Sequence, residues 1–246
     1  IDSTAVSGTN AYLLATSISG SRATALDGHA TIVATNVIDT TAIASSNVSL
    51  YWAVNDDPSN FSVTTIAPKV ISTFIDNLIL NDQYADETRL QIIGSSKAQI
   101  SSVTDVTGYV LVADTVVIDG AQNATLQVVN ADELSVNNVM NATLDVEVDT
   151  LSLNNVSGQA DITSATDLAI VDSNMPGNLV VTSDAAVVID GATVKAGDID
   201  ITAASIEMND AVVAATSGNA RFLADETVTS TGVLELYANN AVILDS

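Results

Sequence analysis

Cut after each small polar turn, residues 124–219 are ATLQVVNADELSVNNVMN (124–141), ATLDVEVDTLSLNNVSGQ (142–159), ADITSATDLAIVDSNMPGN (160–178), LVVTSDAAVVIDGATVKAGD (179–198) and IDITAASIEMNDAVVAATSGN (199–219). These are five versions of one pattern. Three columns of apolar residues recur through them at fixed phase. The first is Leu126, Leu144, Ile162, Val181 and Ile201. The second is Val136, Leu153, Ile170, Ile189 and Met208, with an apolar residue two positions earlier at Leu134, Leu151, Leu168, Val187 and Ile206. The third is Val139, Val156, Met175, Val194 and Val213. A spacing of two is strand periodicity, because alternate side chains of a strand share a face, and helical spacing does not align all three columns.

The corners between columns repeat as well. After the second column comes an Asn/Asp pair: Asn137-Asn138, Asn154-Asn155, Asp172-Ser173, Asp190-Gly191 and Asn209-Asp210. After the third comes a glycine, at Gly158, Gly177, Gly197 and Gly218, each followed by Gln, Asn or Asp. Glycine, Asn and Asp tolerate positive φ and bond their own backbone, so sharp bends between short strands are expected at both places. A unit of about 17–21 residues with three strands and three corners is one coil of a parallel β-helix, whose coils stack about 4.8 Å apart by strand pairing. The fold class expected is therefore all-β, a β-solenoid of triangular coils. Right-handedness is expected from the general preference of parallel β crossovers.

Working towards the N-terminus, Val116-Val117-Ile118-Asp119-Gly120-Ala121 recurs letter for letter at residues 187–192, which places Ile118 in the second column. The regular solenoid is assigned to residues 98–246. Past residue 219, Phe222 continues the first column, and Leu234-Leu236 with Val242-Leu244 are expected to form a last strand pair. Residues 1–66 alternate like strands without clean periodicity, clearest at Val48, Leu50, Trp52 and Val54, with Trp52 covering core and a turn at Asp56-Asp57-Pro58. They are assigned to irregular coils of the same solenoid, with a separate small β domain as the alternative. Pro68 followed by Val70-Ile71, Phe74-Ile75 and Leu78-Ile79 fits a short amphipathic helix over about 69–80. The competing reading is that Leu78-Ile79-Leu80-Asn81-Asp82 matches the strand and corner of Ile206-Glu207-Met208-Asn209-Asp210. Residues 83–97 are the most charged stretch and are expected to be a loop leading into a strand at Leu90–Ile93.

Charge bounds the function. Six Lys plus Arg against 30 Asp plus Glu give a formal net charge of -24 in 246 residues. Such a field repels nucleic acid and anionic head groups, which are bound by clustered Lys and Arg. It favours cations, and oxygen-rich sites suit calcium best. Asp119, Asp172, Asp190 and Asp210 of the Asn/Asp corner are the candidate ligands of a calcium edge; the alternative is a solvated ladder that only stabilises the corner. There is no cysteine, hence no disulfide framework or thiolate chemistry. No apolar run approaches the roughly 18–20 residues of a membrane span. Ser, Thr, Asn and Ala dominate and nothing like a signal peptide precedes Ile1, so an exported, processed or excised segment is expected.

The catalytic inventory is thin. The sole histidine, His29, sits in a turn-like Asp27-Gly28-His29 and is expected to be solvated. No serine lies in a Gly-x-Ser-x-Gly elbow, and no phosphate-binding glycine loop occurs. Polysaccharide cleavage on an outer face would need paired carboxylates or calcium beside a basic residue, and usually aromatics to stack on sugars. Carboxylates are plentiful, but Arg22, Lys69, Arg89, Lys97, Lys195 and Arg221 are scattered and residues 124–219 hold no aromatic. No enzyme activity is expected. Asn-x-Ser/Thr sequons at Asn47, Asn60, Asn123, Asn141 and Asn155 permit glycosylation and nothing more.

Units such as ATLDVEVDTLSLNNVSGQ and LVVTSDAAVVIDGATVKAGD resemble the repeats of filamentous-haemagglutinin-type bacterial surface proteins. That resemblance implies a secreted β-helical adhesin, and a passenger shaft more than a binding tip. The function expected is an extracellular or cell-surface structural or adhesive β-solenoid, a shaft segment or a self-assembling filament subunit. Its expected partners are further copies stacked end to end, or a surface glycan or receptor. A glycan-binding or glycan-cleaving β-helix is the alternative.

Overall fold

The computed structural model describes the backbone of residues 4–7, 9–25, 29–44, 47–52, 60–66, 70–74, 77–83, 87–92, 95–102, 105–111 and 113–246. Side chains are described for 4–7, 9–14, 20–25, 29–33, 41–42, 98–101, 105–111 and 113–246. Among the described residues every helix or strand element is a strand, and within each unit the strands pair in parallel from one coil to the next. The chain is a β-solenoid. It divides into two compact units, Ile1–Leu126 and Gln127–Ser246.

In the second unit the coils within residues 141–238 each contribute a strand to each of three faces. On the first face the start of Asn141–Asn154 pairs with Gln159–Ser164, which pairs with Asn178–Ser183; the start of Ile199–Asn209 comes next, then Ala220–Thr229 and Val242–Asp245. The second face carries Leu168–Ile170, Ala186–Asp190 and the end of Ile199–Asn209. The third carries Ser173–Asn174, Thr193–Ala196, Val212–Ala215 and Glu235–Ala238. Every pairing is parallel. On the first face the step between partners is 18 at Ala142↔Ala160 and 19 at Gln159↔Asn178, then 20 at Leu179↔Ile199, 21 at Ile199↔Ala220 and 22 at Ala220↔Val242. Cross-coil bonds hold the strands of this face in register, so added residues are absorbed elsewhere, as in the register shift between Ala203 and Ser205.

The alternation of burial explains why these residues form strands. Asn141–Asn154 follows an almost strict buried/exposed alternation, with Ala142, Leu144, Val146, Val148, Leu151 and Leu153 inside and Thr, Asp, Glu and Ser mostly outside. All fifteen residues of the three columns are at most 2% exposed. Burying one Val, Leu or Ile side chain contributes about 1.5–3 kcal/mol, repeated in layers along the coil axis.

Two details of the second unit differ from the sequence reading. Ile170 stands beside Leu151, not Leu153. Leu153 meets Ser173, a serine that is 2% exposed and whose hydroxyl accepts from the Leu153 N–H at 3.0 Å and donates to the Val171 carbonyl at 2.8 Å. A buried hydroxyl so placed satisfies backbone groups at the point where the strand Leu168–Ile170 ends early. The expected last strand pair is also not one: Glu235–Ala238 stacks on Val212–Ala215 and Val242–Asp245 on Ala220–Thr229, on different faces.

In the first unit Thr4–Ser7, Arg22–Ala25 and the end of Ala30–Ala44 form one ladder. Ala11–Ser19 pairs with Ala30–Ala44. The latter leads to Asn47–Trp52, Val70–Phe74, Glu87–Ile92 and Asp105–Val110 along one line. Along the other it leads to Asn60–Ile66, Asn77–Gln83, Ser95–Ser102 and Ala113–Asp119. The described strands within 1–66 pair in parallel as well, at looser steps, for example 23 at Asn47↔Val70 and 17 at Asn60↔Asn77.

The helix expected over 69–80 is not formed. Val70–Phe74 and Asn77–Gln83 are strands, and Leu78 and Leu80 take ladder positions beside Ala98 and Ile100, which in turn pair with Val116 and Ile118. The strand-and-corner match of Leu78–Asp82 was the informative signal: β-branched Val70, Ile71 and Thr73 suit a strand, and parallel partners on either side outweigh a weak helical period. The charged stretch is likewise less of a loop than expected, since strands run over Glu87–Ile92 and from Ser95 onwards. The Asp56-Asp57-Pro58 turn and the side chain of Trp52 lie outside the described residues.

Candidate functional site

The two corner types of the second unit bend by different physical means. In four of the five Asn/Asp corners the second residue takes the left-handed conformation: φ is 55° at Asn138, 56° at Asn155, 61° at Gly191 and 47° at Asp210, whereas Ser173 does not. In the first unit Gly120 does the same at 78°. Asn and Asp tolerate this region because a short polar side chain can compensate locally. Their side chains then tie coil to coil. Asn154 Nδ2 donates to Asn137 Oδ1 at 3.3 Å and Asn155 Nδ2 to Asn138 Oδ1 at 2.8 Å.

Farther along, carboxylates take over. Asp172 Oδ1 accepts the Thr193 N–H at 2.7 Å and Asp210 Oδ1 the Val233 N–H at 2.9 Å. Two of the four candidate calcium ligands thus spend an oxygen on the backbone of the next coil. Asp190 is exposed, and Asp119 belongs to the first unit, where it too has a partner. Among the described residues no three His, Asp or Glu side chains converge as a metal-holding group.

The glycine corner works by proximity instead. Gly158, Gly177, Gly197 and Gly218 do not lie at positive φ. What they share is crowding: a Cβ on Gly177 would run into the Gly158 carbonyl, and one on Gly218 into the Asp198 carboxylate. The backbones stack directly, Gly197 N–H donating to Gly177 O at 2.6 Å and Asn178 N–H to Gly158 O at 2.7 Å. The polar residue that closes each repeat at this corner extends the ladder. Asn141 Oδ1 accepts the Gln159 N–H at 3.1 Å, Asn178 Oδ1 the Asp198 N–H at 2.9 Å, and Asp198 Oδ1 the Asn219 N–H at 2.7 Å.

This ladder forms one wall of a groove of about 370 Å³ on the first face. Gln159, Asn178, Asp198 and Asn219 stand along it at one-coil intervals, and the outward residues Val180, Asp200, Arg221 and Ile243 form its floor. Those four are successive ladder partners. Arg221 Nη1 approaches Asp200 Oδ2 at 3.1 Å, both side chains being half-exposed, so the pair is weakly stabilising and mainly sets orientation. A second recess, of about 340 Å³, is lined by Asn130, Asp132, Glu147, Asp149, Thr166 and Asp167 among others. There Asn130 sits at φ 55° within Asn123–Asn137, and Asp167 Oδ1 accepts the Ala186 N–H at 3.0 Å.

Other polar groups line neither recess. His29 is exposed, its backbone N–H donating to Asn10 Oδ1 at 3.0 Å. On the third face the Tyr237 hydroxyl donates to Glu235 at 2.8 Å, and that bond, with the nearby negative charge, raises the tyrosine above its ordinary pKa. Sequence reasoning passed over the groove, because Gln159, Asn178, Asp198 and Asn219 were read as turn residues only. Their recurrence directly after each corner glycine was the available signal. Comparison with protein-family models, curated proteins and solved structures returns no match to this chain.

Proposed function

We propose that this chain is an extracellular, non-enzymatic β-solenoid that serves as a structural or adhesive element, either a shaft segment or a subunit that stacks into filaments. The observation that supports this most is the division of labour within each coil of the second unit: apolar columns inside, and outside a ladder of amides, hydroxyls and carboxylates that joins each coil to the next. A stack of this kind gains core and ladder with every added coil and gives length at little cost in design. The acidic surface supports the reading too, since self-repulsion at a net charge of -24 keeps the sides of such rods apart.

The last coil leaves Val242 and Leu244, at inward positions, 41% and 51% exposed, and the outer edge of Val242–Asp245 unpaired by any described strand. In the filament reading, the layer that covers this edge is a β-coil of a second copy. Because the Ala220 N–H bonds the Ala241 carbonyl and Ala220 stands beside Val242, the N–H of Leu244 points to the open edge. Leu244→Pro should therefore abolish concentration-dependent elongation in light scattering while preserving the coils beneath. Antibody labelling of intact source cells is the direct test of location; label seen only after permeabilisation would refute the proposal.

A further inference from the structure

We infer that the groove of the first face binds a neutral, hydroxyl-rich glycan strand laid along the stacking direction of the coils. This rests on the adhesive reading above and names the ligand chemistry that such adhesion would use. The first ground is the spacing of the polar wall. Gln159, Asn178, Asp198 and Asn219 present one amide or carboxylate per coil, and coils stack about 4.8 Å apart, close to the length one sugar ring occupies in an extended glycan. A repeating ligand thus meets a repeating set of donors and acceptors in register.

The second ground is preorganisation. Asn178 and Asp198 each give one side-chain oxygen to the backbone of the next coil, which locks the rotamer and leaves the Asn178 Nδ2 and the second Asp198 oxygen for a ligand. The Asn219 side chain makes no bond among the described residues, while its N–H is held by Asp198. Asn178 and Asp198, fixed before binding, lose less entropy on binding, while the Asn219 amide is open to a ligand.

The third ground is the floor. Val180 and Ile243, the latter 44% exposed, flank the Asp200–Arg221 pair and offer C–H surface to the faces of sugar rings, whose hydroxyls point to the edges. The groove, at about 370 Å³, lies in the range of small-ligand sites. Charge selects the class: two carboxylates and one guanidinium in a field of -24 disfavour polyuronates and sulfated glycans.

The test uses the full chain, isotopically labelled, titrated with cellohexaose, maltohexaose and laminarihexaose, with hexagalacturonate and an oligolysine peptide as controls. Saturable shifts at the side-chain amides of Asn178 and Asn219 with at least one neutral hexamer are expected. Asn219→Ala and Arg221→Gln, neither of which removes a backbone ladder bond, should each weaken binding by about tenfold or more without moving the unfolding midpoint. No saturable shift at millimolar hexamer, shifts confined to other surfaces, or binding of oligolysine alone would each overturn the inference. Because the titration is done in solution, its failure would leave the cell-surface labelling result unaffected, and the reverse holds too.

Discussion

Replacing Gly177 by alanine should be among the costliest small changes in the molecule, although it adds one methyl group and meets no φ restriction. The added Cβ would occupy the position of the Gly158 carbonyl, and that backbone cannot yield freely because it is tied on both sides. Gly177 N–H bonds Val156 O at 2.9 Å, Asn178 N–H bonds Gly158 O at 2.7 Å and Gly197 N–H bonds Gly177 O at 2.6 Å. Relieving the overlap requires opening these three contacts, and at about 1 kcal/mol net each the loss is about 3 kcal/mol, the upper part of the usual overpacking range.

For a chain of this size that corresponds to a fall of about 6–12 °C in Tm. The matched control is Gly191→Asn. A Cβ there meets nothing within 4 Å, and Asn already occupies the equivalent conformation at Asn138 and Asn155, so a change below about 1 kcal/mol is expected. Thermal and urea unfolding followed by circular dichroism compare the two. Equal costs, or a Gly177→Ala variant as stable as the parent, would refute the claim that proximity rather than φ selects glycine at this corner.

Ile170→Asp places a carboxylate between Leu151 and the following coil, at a site only 1% exposed, and should cost about 3 kcal/mol or more in urea unfolding; a midpoint unchanged from the parent would show that Ile170 does not face inward. Sodium chloride should raise stability by screening the net charge of -24. If Asp119, Asp172, Asp190 and Asp210 hold calcium, calcium should stabilise beyond magnesium at equal ionic strength, and the absence of a saturable calcium heat in calorimetry would remove that role. Tyr237 should ionise above the ordinary phenol range, and Glu235→Gln, by removing the accepting carboxylate and its charge, should lower its pKa in an ultraviolet difference titration.

The coil stack was legible in the sequence because burial is periodic at two scales: alternation within each strand, and return of each column after one coil. Leu144, Ile162, Val181 and Ile201 are ladder partners as the repeat implied. The column method failed where the chain keeps phase by substituting a different atom. Ser173 fills an inward position with a hydroxyl that serves the backbone, so counting apolar residues slid Ile170 one step out of place. At 69–80 a helical period of apolar residues competed with parallel pairing, which cannot be seen in one segment alone and emerges only when Leu78 is set against Ala98 and Val116, and Leu80 against Ile100 and Ile118. The groove escaped notice for a related reason, since its wall comes from residues about 20 apart in the chain that become neighbours only on stacking.

The cysteine-free background allows the stacking to be measured directly. Thr163, Thr182 and Thr202 are successive ladder partners on the outer surface of the first face. Cysteines at Thr163 and Thr182, or at Thr182 and Thr202, lie one coil or about 4.8 Å apart and should cross-link rapidly in the native protein under mild oxidation or with a short bis-thiol reagent. Cysteines at Thr163 and Thr202 lie two coils apart and should not. Failure of both adjacent pairs, or equal cross-linking of the two-coil pair, would contradict the parallel coil stack on which the proposed shaft and groove both depend.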